Sequence, residues 1–374
     1  MCRENIWSIT ATSWYVTKMF PTFPILPAIQ TDNSFLKEKT MTMKKILIAA
    51  VAASVALTTA NAEDLKGRGA SFPGPVYKAW TTGYFKVTGA KVNYTPTGSG
   101  DGIKSIGKRM VDFGGSDKPL KAKKLAKDKL LMFPSVVGSI VLAYNIDGVK
   151  DGELKLSRAA IAGIFSGKIT KWDDAAIKAQ NPDVKLPSEP ITIAVRADKS
   201  GTTFNFTYFL NKLDPSFKVS KKPSWAAPKV VAGKSNSGVS ANIQQIKNSI
   251  GYIEYSYKIK LGLPAVQVEN KEGNYINPTL KSFQDAAKYA TWTPDNNFYA
   301  VIGDPAGATS YLIVAATFIL LPVEKTEENK MVTKFIDWAY ANGDAAATEL
   351  GYVPLPKETK EQIRAYWKIN KISN

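Results

Sequence analysis

Two uncharged apolar runs, Val136 to Asn145 and Tyr311 to Leu321, do most to limit what this chain can fold into. Each is too short for the ~20 residues that a helix needs to cross a bilayer, so each predicts a buried strand. Around them, strand-like and helix-like segments alternate. Strands are predicted at Val92–Tyr94, Val111–Phe113, Ile191–Arg196 and Ile250–Tyr255. Helices are predicted near Ile103–Arg109, Ser157–Phe165, Asp174–Ala179, Thr203–Leu213, Val239–Ser249, Lys325–Asn342, Asp344–Leu350 and Lys357–Lys368. Lys221–Trp225 and Gly233–Gly238 read as loops. The alternation argues for an α/β fold with a mostly parallel sheet. A single large sheet is one solution. In the other, the chain leaves a first domain through Phe133–Tyr144 and returns through Tyr311–Leu321. Residues 63–138 and 312–374 then form a discontinuous domain I, and 139–311 an inserted domain II.

The chain starts with two segments that do not fit that pattern. Residues 43–62 have a basic start, an apolar middle and the small-residue ending Ala60-Asn61-Ala62, which reads as a secretory signal cleaved after Ala62. Residues 1–42 read as an upstream extension from a mis-called start. Cys2 is the sole cysteine, so nothing after the cleavage point offers a site for lipid attachment. A free periplasmic protein is expected.

With the six basic and three acidic residues of the first 62 set aside, 43 basic and 29 acidic residues remain, a net +14. Such a charge suits nucleic acid, a membrane surface or anionic ligands, and export argues against nucleic acid. The densest basic stretch runs from Lys118 to Lys129; it reads as a solvated helix face, or as a weak long-range attractor of anions. The chain has no histidine, which removes Ser-His-Asp and Cys-His catalysis and histidine-ligated metals. An enzyme built from these residues would have to use Ser, Thr, Lys, Tyr or carboxylates.

Four polar segments suit one anion. In Arg196-Ala-Asp-Lys-Ser-Gly-Thr202, which follows a strand and opens a helix, a guanidinium meets a carboxylate, hydroxyls and a glycine. Helix starts present free N–H groups and positive dipole, and arginine adds a planar fork for oxyanions. An ordinary N-cap beside a surface ion pair is the plainer alternative. Gly67 to Tyr77 places Ser71 just before a helix, with Pro73 and Pro75 suited to a turn and a first helical turn; a plain N-cap is again the alternative. Thr97-Gly-Ser-Gly-Asp-Gly102 is a glycine loop whose N–H groups can approach oxyanions closely, although such strings are common in turns. Asp112-Phe-Gly-Gly-Ser-Asp117 ends a strand in a polar turn, where Asp117 could equally be a turn former.

In this order and spacing, GASFPGPVYKAW, VNYTPTGSG, VDFGGSDKPL, FPSVVGSIVLAYNI, ITKWDD, VRADKSGTTFNFT, GYIEY and KFIDWAY resemble the phosphate-binding proteins of bacterial Pst-type phosphate ABC transporters. The resemblance covers essentially all of residues 63–374. It implies a two-domain periplasmic-binding-protein (Venus-flytrap) fold with two hinge crossover strands. It also implies binding of inorganic phosphate and delivery to a membrane-embedded ABC permease, with no cofactor, no metal, no nucleic acid and a monomeric state. Carried over residue by residue, it implies that phosphate contacts Ser71, Phe72, Ser99, Asp117, Arg196, Ser200, Gly201 and Thr202, with Asp198 orienting Arg196. Asp101 departs from the usual neutral loop: it either caps the helix or, pointing inward, would weaken anion binding. An ionised Asp117 only accepts hydrogen bonds, so it would favour a protonated phosphate oxygen over sulfate. Another tetrahedral oxyanion, sulfate or arsenate, is the alternative ligand. The competing class is a serine hydrolase, because Ser105-Ile-Gly-Lys108 fits SxxK and Lys199-Ser-Gly201 mimics a K-[ST]-G element. The S-x-N element is missing between them, since Ser240-Ala-Asn242 comes after the second. Gly233-Lys-Ser235 also lacks the leading glycine of a P-loop, with Pro228 in its place.

Overall fold

The computed structural model describes residues 64–373, so the predicted signal and upstream extension lie outside the described residues. The main sheet has eight strands. In chain order these are β1 (Leu65–Gly69), β2 (Val92–Pro96), β3 (Phe113–Ser116), β4 (Leu130–Asn145), β6 (Thr192–Arg196), β7 (Val230–Gly233), β8 (Ser249–Glu254) and β11 (Val314–Pro322). Their spatial order is β2-β1-β3-β11-β4-β8-β6-β7. A small sheet joins β5 (Lys155–Leu156), β9 (Gln267–Glu269) and β10 (Tyr275–Ile276).

The two apolar runs become β4 and β11, side by side at the centre of the order and buried along nearly their whole length. They run antiparallel, with Val314 opposite Ser139 and Pro322 opposite Leu130. Beyond Ser139, β4 exchanges β11 for β8, pairing Ile140 to Asn145 with Glu254 to Ser249. One sixteen-residue strand thus serves two half-sheets. Parallel pairing holds within each half, β2-β1-β3 on one side and β8-β6-β7 on the other. In the main sheet the antiparallel pairs are those made by the two crossing strands. Pro134 has no N–H for the ladder, and the register shifts between Thr317 and Phe318 opposite it. Such bulges re-aim the side chains beside them.

The helices are α1 (Gly74–Thr88), α2 (Ser99–Gly107), α3 (Ala122–Asp128), α4 (Arg158–Ser166), α5 (Ala175–Lys178), α6 (Gly201–Leu213) and α7 (Ser235–Gln245). They continue with α8 (Tyr255–Leu261), α9 (Leu280–Ala287), α10 (Thr326–Asn342), α11 (Asp344–Glu349) and α12 (Lys357–Ile369). Among the described residues, none is long and apolar enough to cross a membrane. Helix α1 buries Val76, Tyr77, Trp80 and Tyr84, a spacing that repeats each turn, and closes on Gly89 at φ 72°. Helix α3 carries the lysine-rich stretch and buries only Leu125, as a solvated face does.

Three local predictions need correction. The strand expected at Val111–Phe113 is Phe113–Ser116, where Gly114 and Gly115 let the backbone pack against Ile106 and Tyr94. The helix expected at Ile103–Arg109 begins at Ser99, because Gly98 takes φ 113° and turns the chain straight into it. Gly233–Gly238 is no loop. It ends β7 and starts α7, four residues before the predicted Val239. A Cβ on Gly233 would lie 2.4 Å from the Gly238 carbonyl carbon, so glycine lets helix and strand close on each other.

Candidate functional site

Each predicted ligand residue sits where a strand of the main sheet hands over to a helix or turn. Ser71 and Phe72 lie between β1 and α1, and Ser99 opens α2 after β2. Asp117 follows β3, while Arg196 ends β6 and Ser200 caps α6. In such sheets ligands gather at the carboxyl ends of the strands. All of these side chains are buried.

The structure brings Ser99, Asp117, Arg196, Ser200, Gly201 and Thr202 together and joins Ser71 to them through Asn236, while the Phe72 ring packs on Tyr352. Ser99 Oγ donates to Asp117 Oδ2 at 3.3 Å and accepts from the Asp117 N–H at 3.1 Å. A Cβ on Gly201 would lie 2.3 Å from Ser99 Oγ and 2.7 Å from Asp117 Oδ2, so α6 begins against both. Asn205, one turn into α6, donates to the carbonyls of Asp117 (2.8 Å) and Gly201 (3.0 Å). Arg196 sends Nε and one terminal nitrogen to the two oxygens of Asp198, at 2.9 and 2.7 Å; its other terminal nitrogen donates to Thr202 Oγ1 at 3.1 Å. Asp198 thus pairs with two nitrogens of the fork, and Thr202 takes the third. Ser200 Oγ accepts from the Thr203 N–H at 3.0 Å, so for Ser200 the N-cap role is present, with its own proton left to donate.

Ser71 departs from the N-cap alternative. Pro73 occupies that position and Ser71 Oγ does not cap α1; it accepts from Nδ2 of Asn236 at 3.1 Å and from the Asn236 backbone N–H, in the first turn of α7, at 3.0 Å. Asp101 does not point at the cluster. Thr97 donates to it at 2.6 Å and Arg68 lies 3.7 Å away.

Asn236 was missed in the sequence, because its segment read as a loop. In the structure it is fully buried at the start of α7, and Nδ2 also reaches Thr202 Oγ1 at 3.3 Å. Thr317 was missed as well. From the bulge in β11 it donates to Asp117 Oδ1 at 2.7 Å. Its only sequence signal is a lone hydroxyl in an apolar run.

Burial pushes the Asp117 carboxyl up to about 7, against the opposing pull of Thr317, Arg196 and Ser99. Glu254, at the end of β8, is also fully buried, and burial pushes it up to about 8. One of its oxygens accepts from the Ser256 N–H (3.0 Å), the Ser256 hydroxyl and the Tyr352 hydroxyl (2.9 Å); the other has no partner among the described residues. Tyr352 also sits 2.7 Å from the Phe72 carbonyl and can donate to it. Ser105 is buried within α2, whereas Lys108 at the end of that helix is exposed; Lys199-Ser200-Gly201 enters a helix rather than a strand.

Helix starts, hydroxyls and one oriented guanidinium thus gather around the buried Asp117 carboxyl, a donor set whose chemistry suits a small oxyanion. The PBP superfamily domain matches residues 54–342. Phosphate-binding protein PstS of Pasteurella multocida is 43% identical over 332 residues, spanning 88% of this chain and 96% of the relative. The protein of that name from Haemophilus influenzae is 41% identical over 83% of this chain and 95% of its own length. The chain belongs to this family of phosphate-binding proteins. A solved structure of a high-affinity periplasmic phosphate-binding protein bound with phosphate shares the fold, with a TM-score of 0.66 at 23% identity over 81% of this chain and 93% of that one. So does a phosphate-binding protein from Stenotrophomonas maltophilia, with a TM-score of 0.65 at 22% identity over 81% and 93%.

Proposed function

We propose that this protein binds inorganic phosphate in the periplasm and delivers it to the membrane-embedded permease of an ABC transporter, acting as a monomeric carrier and not as an enzyme. The observation that carries this reading is the buried Asp117 flanked by Ser99, Thr317 and the start of α6, with Arg196 held beside Thr202. Phosphate would take donors from Ser71, the Phe72 N–H, Ser99, Arg196, Ser200, Gly201 and Thr202, and give one proton to Asp117. Donors before β4 and donors after it would close on the ligand about the two crossing strands, with residues 63–138 and 312–374 as one lobe and 139–311 as the other. Export with cleavage after Ala62, as residues 43–62 read, would put the protein where such a carrier works. A hydrolase is disfavoured because the SxxK serine is buried within a helix and its lysine is exposed.

Calorimetric titration with phosphate and sulfate side by side tests the reading. Phosphate should bind at one equivalent and, at about pH 9, where Asp117 is ionised, far more tightly than sulfate. Asp117→Asn should narrow the gap, because an amide can both donate and accept. Equal affinities in the unmodified protein would overturn the role given to Asp117.

A further inference from the structure

A cavity of about 710 Å³ lies just outside the buried cluster, walled on one side by α2 and α3 and on the other by the segments that carry Lys199 and Lys221. Its carboxylates are all engaged. Asp198 holds Arg196 at 2.7 Å, Asp101 is bonded to Thr97 and near Arg68, and Asp128 pairs with Lys124 at 2.6 Å. Lys104, Lys199 and Lys221 also line the cavity, and none of them forms an ion pair among the described residues. Lys221 is half-buried. Burial first, and then the charges of Lys118, Lys199 and Lys124, hold its ammonium below the usual lysine range. Lys104 and Lys199 are exposed, so these ammonium groups meet at an open-sided pocket; like charges there repel one another, and an anion placed among them offsets that repulsion.

The cavity adjoins the buried cluster through Asp198, one of its lining residues, which also orients Arg196. The chemistry of the two places differs. The cluster offers fixed N–H groups, hydroxyls and a planar fork. The cavity offers flexible ammonium groups, which attract multivalent anions without selecting their shape.

We propose that this cavity is a second, weaker binding site for phosphate anions, separate from the buried one and built from both of its walls. The proposal deepens the phosphate reading and rests on it. Its occupant is a free multivalent phosphate anion, for which pyrophosphate serves as the probe.

The test has two stages, so that the two readings can fail separately. The protein is first titrated with inorganic phosphate, and the absence of a one-equivalent event there would defeat the buried site itself. The phosphate-saturated protein is then titrated with pyrophosphate at low ionic strength. A second event is expected, weakened at least tenfold by about 0.2 M salt because exposed charges are screened at that strength. The pair Lys104→Gln and Lys221→Gln should weaken it about tenfold and leave the first event within about twofold. The pair Lys104→Arg and Lys221→Arg should retain it. Three results would overturn the proposal: no second event, a second event that Lys150→Gln with Lys185→Gln weakens equally, or release of radiolabelled phosphate showing that pyrophosphate only displaces the first ligand.

Discussion

Burial sets the proton affinity of Asp117, and through it the pH range in which the site can reject a fully ionised anion. Its carboxyl is pushed up to about 7, so it holds a proton below that pH and loses it above. A protonated carboxyl can donate to sulfate; an ionised one faces sulfate with no proton between them. Sulfate affinity should therefore fall roughly tenfold per pH unit above about 7, while hydrogen phosphate, which brings its own proton, should lose far less. Titrations at a series of pH values check this, and parallel profiles for the two anions would refute it. Glu254 carries a second consequence. Its folded-state value is raised to about 8 from an ordinary 4.5, so the protonated form suits the fold. The stability it contributes is present at acid pH and is lost as pH rises through about 8. Glu254→Gln keeps the shape and cannot ionise. Between about pH 5 and about pH 9 its melting temperature should decline less than that of the unmodified protein, and it should be the more stable form at the alkaline end. Curves that fall in parallel would clear Glu254 of this role. Neither Glu254 nor Thr317 stands out in the sequence, because each ends or interrupts an apolar strand and its burial depends on partners far along the chain, Tyr352 and Asp117. Arg196, Ser200 and Thr202 were legible because a strand end, a carboxylate and a helix start fall within seven residues.

At the level of elements, glycines decide how closely the helix starts can approach. Gly100 in α2 donates its N–H to the Lys199 carbonyl just before α6, at 2.8 Å. A Cβ there would lie 2.4 Å from Lys199 Cβ and 2.8 Å from that carbonyl oxygen. Gly100 is not among the residues given a contact with phosphate, yet it lies where the two walls touch. Overpacking of this kind costs about 1–3 kcal/mol, and it falls on the form in which the walls meet. Gly100→Ala should thus weaken phosphate binding about five- to 150-fold while leaving the melting temperature of the phosphate-free protein nearly unchanged. Unaltered affinity would mean that the walls need not meet around the ligand. The same closeness explains where the sequence misled. Alternating apolar runs exposed β4, β6, β8 and β11, whose burial patterns are continuous. The starts of β3 and α7 were misplaced because Gly114, Gly115, Gly233 and Gly238 act there as packing surfaces rather than as turn formers, a difference that appears only when the opposing element is in place. Asn236 was lost with α7 for that reason.

Across the whole molecule, β4 and β11 run between the half-sheets, and hydrogen bonds at the site, together with contacts such as Phe298 on Tyr366 and Tyr352 on Glu254, tie residues 139–311 to the rest. Ser71 with Asn236, Asn205 with the Asp117 carbonyl, Tyr257 with the Ser71 carbonyl and Gly100 with Lys199 all join residues before β4 to residues after it. The reading of residues 63–138 with 312–374 as one lobe and 139–311 as the other requires these bonds to open together while the crossing strands stay paired. A ligand that takes donors from Ser99 on one side and Arg196 on the other binds the closed arrangement better than an open one. It can shift the equilibrium only by that difference in affinity. Small-angle scattering should accordingly show a smaller radius of gyration with saturating phosphate than without it, and Gly100→Ala should move the liganded value back toward the unliganded one. Sulfate at about pH 9, where Asp117 has lost its own proton, should contract the protein less at equal concentration. If the radius is the same with and without phosphate while calorimetry still reports tight binding, the protein is closed before the ligand arrives. Phosphate would then have to enter through local openings of the walls, and Gly100→Ala would alter its rate of entry more than its affinity.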